Sequence, residues 1–238
     1  MLFDMDGTLI DSEPLWGIAI AELAEAYGGT VSPAARLAMI GSSMAHSMAI
    51  LHEDLGQPWR DPDAGAAWLE SRVADLLRAG IEWRPGAYAL LRAVRSAGIR
   101  TALVTSTARH LVEVALATLG RENFDVVVCG DEVGNTKPHP EPYRTAARML
   151  DVPIGRCVAI EDSPAGAASA LAAGAAVLVV SEVPIDPADG LHLLDSLAGV
   201  DLDLLAALRT REAGVAGTAS GAASTASTAS GTASTAGG

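Results

Sequence analysis

Asp4-Met5-Asp6-Gly7-Thr8 sets two carboxylates one residue apart, directly after Met1-Leu2-Phe3 and directly before a glycine. Two acids held that close in a confined site repel each other. A metal ion, a divergence of their pKa values, or both would offset the repulsion. Three later groups suit the same chemistry: Thr105-Ser106, Lys137-Pro138 and Glu161-Asp162-Ser163. Together they add hydroxyls, a cation and two more acids. Lys137 is the only lysine in the chain and the other fifteen cations are arginine. One compact ammonium retained in such a composition suggests a local need for it.

The elements that must position these groups are readable around them. Leu2 to Met5, Thr101 to Thr105, Phe124 to Cys129, Cys157 to Ile160 and Ala176 to Val180 are apolar and rich in β-branched residues. They lack strict alternation, as parallel strands covered on both faces do. Helical spacing lies between them, over Tyr88 to Ala97, Ala108 to Leu119, Pro140 to Leu150 and Pro164 to Ala173. The pattern predicts an α/β, doubly wound parallel sheet with a Rossmann-like core. In such a sheet ligands bind at the carboxyl edge of the strands. The acids, hydroxyls and lysine all fall at or just beyond strand ends.

Residues 14–81 contain no convincing strand. Helical spacing runs over Leu15 to Tyr27, Pro33 to Ile40, Met44 to Leu55 and Ala64 to Leu77, broken by Gly28-Gly29, Gly41-Ser42-Ser43 and Pro58 to Pro62. An all-helical insertion directly after the Asp4/Asp6 turn is expected to sit over the sheet edge as a cap. Residues 1–13 and 82–212 then form the catalytic core. Residues 213–238 are nearly all Gly, Ala, Ser and Thr, and read as a disordered tail.

The 238 residues carry a net charge of −13, which argues against a nucleic-acid or anionic-membrane partner. The uncharged run from Ser163 to Ser181 approaches spanning length, but Gly174 divides it into helix-like and strand-like halves, which predicts no membrane span. Cys129 and Cys157 lie in apolar runs, as small core residues of a reducing, cytoplasmic protein. A monomer or weak dimer is expected.

The ordered set Asp4-x-Asp6-Gly7-Thr8, Thr105, Lys137-Pro138 and Glu161-Asp162 resembles the four motifs of the haloacid dehalogenase-like hydrolases. The Asp11-Ser12-Glu13-Pro14 continuation and the helical insertion resemble the small-cap subgroup of sugar-phosphate phosphatases, phosphoglycolate phosphatases and β-phosphoglucomutases. The resemblance implies a small phosphorylated metabolite, a nucleophilic Asp4 that forms an aspartyl-phosphate, and an Asp6 that serves as acid and then base. It implies Mg²⁺ held by Asp4, the Asp6 carbonyl, Asp162 and Glu161. Thr105, Ser106 and Lys137 would bind the phosphoryl oxygens.

In the mutase branch a histidine stands where this chain has Trp16, and cationic residues flank the cap-loop glycine. The loop here, Met39-Ile40-Gly41-Ser42-Ser43-Met44, has no lysine or arginine. Net hydrolysis is therefore favoured, and the Ser12 to Trp16 run resembles that of hexose- and hexitol-phosphate phosphatases, which implies a sugar or polyol phosphate. A β-phosphoglucomutase-like activity and non-catalytic binding of a phosphometabolite are the alternatives. Trp16, Ser42, Ser43, Met44 and His46 are the candidate substrate neighbours. The first strand has few residues before Asp4, which predicts a weak support for that residue.

Overall fold

The structure, a computed structural model, describes residues 1–40, 42–181, 185 and 190–208. The expected tail at 213–238 and Gly41 of the cap loop lie outside the described residues. Six parallel strands run in the order β3-β2-β1-β4-β5-β6, with β1 Leu2–Phe3, β2 Ala102–Val104, β3 Val126–Val128, β4 Val158–Glu161, β5 Ala176–Val180 and β6 Leu191–Leu194.

Side chains alternate between two apolar layers, as the pleat requires. Phe3, Leu103, Val127 and Ile160 pack on one face with α5 (Ala87–Ser96) and α6 (Arg109–Leu119). Leu2, Val104, Val128 and Val177 pack on the other with α7 (Glu141–Met149) and α8 (Pro164–Ala173). Covering both faces accounts for the continuous apolar runs. It also resolves the Ser163 to Ser181 stretch into α8 and β5, and among the described residues no helix is long and apolar enough to cross a membrane. β6 is an edge strand of partly exposed residues, so its short Leu-His-Leu-Leu run carried no clear strand pattern. Residues 202–208 are helical, and Leu205 and Leu208 join the first layer.

β1 is only two residues long, but it is not poorly supported. It lies between β2 and β4, in register Phe3 to Leu103 and Phe3 to Ile160. Beyond it the Asp4 amide donates to the Ile160 carbonyl at 3.0 Å, and the Ala102 amide donates to the Met1 carbonyl at 2.9 Å. The weakness expected from its length is offset by pairing on both sides.

Above the carboxyl edge sit α1 (Glu13–Ala26), α2 (Pro33–Met39), α3 (Met44–Asp54) and α4 (Pro62–Ala79). Ser32, Ser43 and Asp61 cap α2, α3 and α4 with side-chain oxygens, and prolines fill the first turn of α2 and α4. Ile20, Leu23, Met48, Leu51, Leu69 and Val73 form their shared core, which Leu111 of α6 joins from below. Two connections lead to the sheet and are tied together. Ile10 bridges Trp83, the Asp11 amide donates to the Glu82 carbonyl at 2.9 Å, and Arg84 meets Asp11 at 3.3 Å.

Candidate active site

Strand register brings the sequence motifs to one place. Asp4 follows β1, Thr105 follows β2, Glu161 ends β4 and Asp162 follows it. Lys137 arrives from the loop after β3 and is itself buried. Its ammonium donates to Asp4 Oδ1 at 2.6 Å and to Glu161 Oε1 at 2.6 Å. The two carboxylates hold the Lys137 ammonium above its ordinary range, against the opposing effect of burial.

Glu161 is fully buried and fully engaged. Oε1 also accepts from the Tyr143 hydroxyl, and Oε2 accepts from the Asp162 amide at 3.2 Å and Ser163 Oγ at 3.4 Å. Gly166, on the first turn of α8, makes room for it: a Cβ there would come within 2.0 Å of Oε2. Ser163 caps the same turn by accepting from the Gly166 amide at 3.1 Å. The strand-to-helix turn thus fixes the acid and the helix start together.

Asp4 Oδ2 is buried without a hydrogen-bond partner. Burial pushes the Asp4 carboxyl up to about 7; Glu161 and Asp6 push the same way and Lys137 pulls it back. Asp162 is raised as well, by burial and then by Asp4 and Glu161. Oxygens of Asp4, Glu161 and Asp162 lie within 4.8 Å of one another. Three carboxylates face one ammonium here, all the donors are hard oxygens, and Oδ2 is an orphan. This set fits a small divalent cation. Glu161, with both oxygens already in use, serves chiefly to hold Lys137; Asp4 and Asp162 have the free capacity. Gly7 permits Asp162 its position, since its φ is +76° and a Cβ would fall 2.0 Å from Asp162 Oδ2.

Asp6 is gripped from two sides. Oδ1 accepts from Ser12 Oγ at 2.7 Å and Trp16 Nε1 at 3.3 Å. Oδ2 accepts from Thr107 Oγ1 at 2.7 Å and Thr105 Oγ1 at 3.3 Å. Thr105, expected on phosphate, here donates to Asp6 and accepts from the Thr107 amide at 3.0 Å. The Ser106 hydroxyl is buried and unpartnered, and Ser106 lines the cavity with Thr105 and Lys137.

That cavity, about 260 Å³, lies between cap and sheet edge. Trp16, Ser42, Ser43 and Met44 line it; His46 does not, and borders a neighbouring crevice with Leu37, Pro138 and Pro164. The helix explains the difference. Positions 44 and 47 share one face of α3, and Ser47 lines the cavity, while position 46 turns away. Thr107, Tyr143, Arg36 and Ser47 escaped the sequence reading, and Ser12 and Glu13 entered it only as part of the continuation of the first motif. The loop at 39–44 has no lysine or arginine, as expected, but Arg36 still brings a cap cation to the cavity. It reaches the cavity from α2, upstream of the loop, paired with Glu13 at 2.8 Å.

Comparison with known proteins agrees with this geometry. Residues 1–174 match the family model described as haloacid dehalogenase-like hydrolase. The chain is 36% identical over 180 residues to hexitol phosphatase A of Escherichia coli (strain K12), covering 76% of this chain and 82% of that protein. It is 37% identical over 190 residues to protein CbbY of Cereibacter sphaeroides, covering 75% and 82%. A solved structure of CbbY from Rhodobacter sphaeroides in complex with xylulose-(1,5)bisphosphate superposes with a TM-score of 0.75 at 32% identity, covering 86% of this chain and 97% of that one.

Proposed function

Because the chain belongs to the haloacid dehalogenase-like hydrolases, we propose that it is a Mg²⁺-dependent phosphatase of small phosphomonoesters, most favourably sugar or polyol phosphates. The observation that carries this reading is the buried Lys137–Asp4 pair, with Asp4 Oδ2 unpartnered beside Asp162. The names of two relatives, hexitol phosphatase A and a phosphorylated carbohydrates phosphatase of Thermotoga maritima, support the substrate class.

In this reading the Asp4 carboxylate attacks phosphorus, forming an aspartyl-phosphate as the P–O bond to the leaving group breaks. Lys137 holds Asp4 Oδ1, so the carboxylate cannot rotate away. Asp6 gives its proton to the leaving alkoxide, then takes one from the water that attacks phosphorus and frees Asp4. For these steps Asp6 must release some of its four present donors. The freed Thr105 hydroxyl, with Ser106 and Lys137, then binds phosphoryl oxygens. Asp4 and Asp162, with the Asp6 carbonyl and Glu161 as the resemblance implies, would hold Mg²⁺, which supplies positive charge against the phosphate and keeps Asp4 ionised. We further propose residues 14–81 as the cap domain and 1–13 with 82–212 as the core. A cytosolic location and a monomer or weak dimer complete the reading; the two buried free cysteines suit a reducing compartment.

Phosphate release from a panel of sugar, polyol and glycolate phosphates tests the assignment. Release is expected with Mg²⁺ and none after chelation. Chelator-insensitive release would remove the metal, and binding without release would leave a non-catalytic protein.

The raised carboxyls give a second test. A carboxyl whose folded pKa exceeds its unfolded value keeps its proton longer in the folded state. The folded protein then binds more protons than the unfolded chain between pH 4 and 7. Stability of the metal-free protein should therefore fall as pH rises through that window. Thermal melts without metal are expected to drop by several degrees. Mg²⁺ should raise the melting temperature more at pH 7.5 than at pH 5; an equal effect at both would separate the metal from these carboxyls.

A further inference from the structure

The cap end of the cavity carries a donor and an acceptor side by side. Arg36 Nη2 donates to Glu13 Oε2 at 2.8 Å and to the Glu13 carbonyl at 2.9 Å. One guanidinium nitrogen thus serves both contacts. Nε and Nη1 of Arg36 and Oε1 of Glu13 have no hydrogen-bond partner among the described residues. Both residues line the cavity. The guanidinium lies against α1 at Gly17, where an added Cβ would stand 3.5 Å from Nε. It is therefore anchored through Nη2, with the N–H groups of Nε and Nη1 left over on separate edges of the plane. A hydroxyl group both donates and accepts, so adjacent hydroxyls match adjacent Arg N–H and Glu oxygen positions.

The surroundings favour the same ligand. Ser42 and Ser47, joined Oγ to Oγ at 2.6 Å, add hydroxyls near this end. Trp16, Ile20 and Met39 supply apolar wall for C–H faces. The volume, about 260 Å³, lies below the range of about 300–1,000 Å³ that holds drug-sized ligands. A small metabolite fits that scale.

Charge separates this ligand from a bisphosphate. Six acids line the cavity, Asp4, Asp6, Glu13, Glu70, Asp131 and Asp162, against two cations. Lys137 is shared by Asp4 and Glu161, and Arg36 is paired with Glu13. Among the described residues both lining cations already have a carboxylate partner, so a second phosphate would sit against the Glu13 carboxylate without an unpaired cation to balance it.

We propose that the Glu13–Arg36 pair is the specificity-determining element of this cavity: it reads hydroxyl groups on a neutral, polyhydroxylated leaving group, and its carboxylate turns away a leaving group that carries a second phosphate. This rests on the phosphatase reading and goes beyond it in naming the residues that choose the substrate.

The test compares kcat/KM for a hexitol monophosphate, xylulose-(1,5)bisphosphate and para-nitrophenyl phosphate in wild type, Arg36→Met and Glu13→Gln. Ratios between substrates on one preparation cancel any loss of folded enzyme. The wild type should prefer the hexitol monophosphate over the bisphosphate by at least about tenfold, the size expected for one unpaired charge. Arg36→Met should lower the ratio of hexitol monophosphate to aryl phosphate by about tenfold or more, chiefly through KM, as lost charged hydrogen bonds do. Glu13→Gln should raise the ratio of bisphosphate to monophosphate by about tenfold. Ratios that move less than about threefold in both variants, within the spread of such measurements, would overturn the proposal. So would a wild type that turns over the aryl phosphate but prefers the bisphosphate, with the phosphatase reading intact. A wild type that releases phosphate from none of the three would instead sink the phosphatase reading, and this inference with it.

Discussion

Asp4→Asn is expected to lower phosphate release by at least about four orders of magnitude, the scale seen when a covalent nucleophile is removed. Asparagine keeps an oxygen for the Lys137 ammonium now bonded at 2.6 Å, so the side chain can stay where Asp4 is. The amide lacks the charge and lone-pair reactivity to displace an alkoxide from phosphorus. The fold should survive. At Asp4 burial pushes the carboxyl up to about 7, so an ionised group is disfavoured there without metal. The neutral variant should therefore melt no lower than wild type in chelator at pH 7.5. A single-turnover experiment completes the case: wild type quenched in acid should retain phosphate on the chain, and the variant should not. Turnover within about tenfold of wild type would remove Asp4 as nucleophile, since one order of magnitude is only about 1.4 kcal/mol.

Lys137→Met should produce the largest loss of stability. The ammonium is almost entirely buried and bridges Asp4 to Glu161. Methionine fills similar volume but leaves two carboxylates facing each other with no counter-charge. Breaking a buried ion pair from one side costs about 3–5 kcal/mol. Urea unfolding should show that decrease, and activity should fall with it because Asp4 loses its anchor. Arginine should not rescue either property: a planar fork does not fit where a compact ammonium meets two oxygens at 2.6 Å each. A loss below about 1 kcal/mol, the level of an exposed pair, would show that Tyr143, the Asp162 amide and Ser163 alone satisfy this cluster.

The strand ends were legible because burial on both faces makes a parallel strand a plain apolar run, and a polar residue then marks its end. Asp4, Thr105 and Glu161 stood out for that reason, and Lys137 by composition. What the sequence hid came through side-chain reach across elements. Tyr143 meets Glu161 from α7, and nothing in its local sequence signals a buried hydroxyl contact. Arg36 was passed over because charge was sought in the loop at 39–44, while a long side chain from the preceding helix covers that space. Ser47 was recoverable from helical spacing with Met44, and that same spacing argues against His46. β6 was missed because a partly exposed edge strand need not alternate strongly.

The grip on Asp6 makes the cap an interlock. One carboxylate oxygen is held by Ser12 and Trp16, at the entry to the cap, and the other by Thr105 and Thr107 of the sheet edge. The two connections between these bodies are stitched to each other through Ile10 and Trp83. Any displacement of α1 relative to the sheet edge would have to move both connections together and would take the Oδ1 donors with it. Cap position and the orientation of Asp6 would form one equilibrium. Such coupling runs both ways: a ligand that draws Asp6 toward a leaving group would also bias where the helices above the sheet edge sit. A cap seated over the substrate would then keep Asp6 Oδ1 fixed, leaving the Oδ2 side, held by Thr105 and Thr107, as the side to be released.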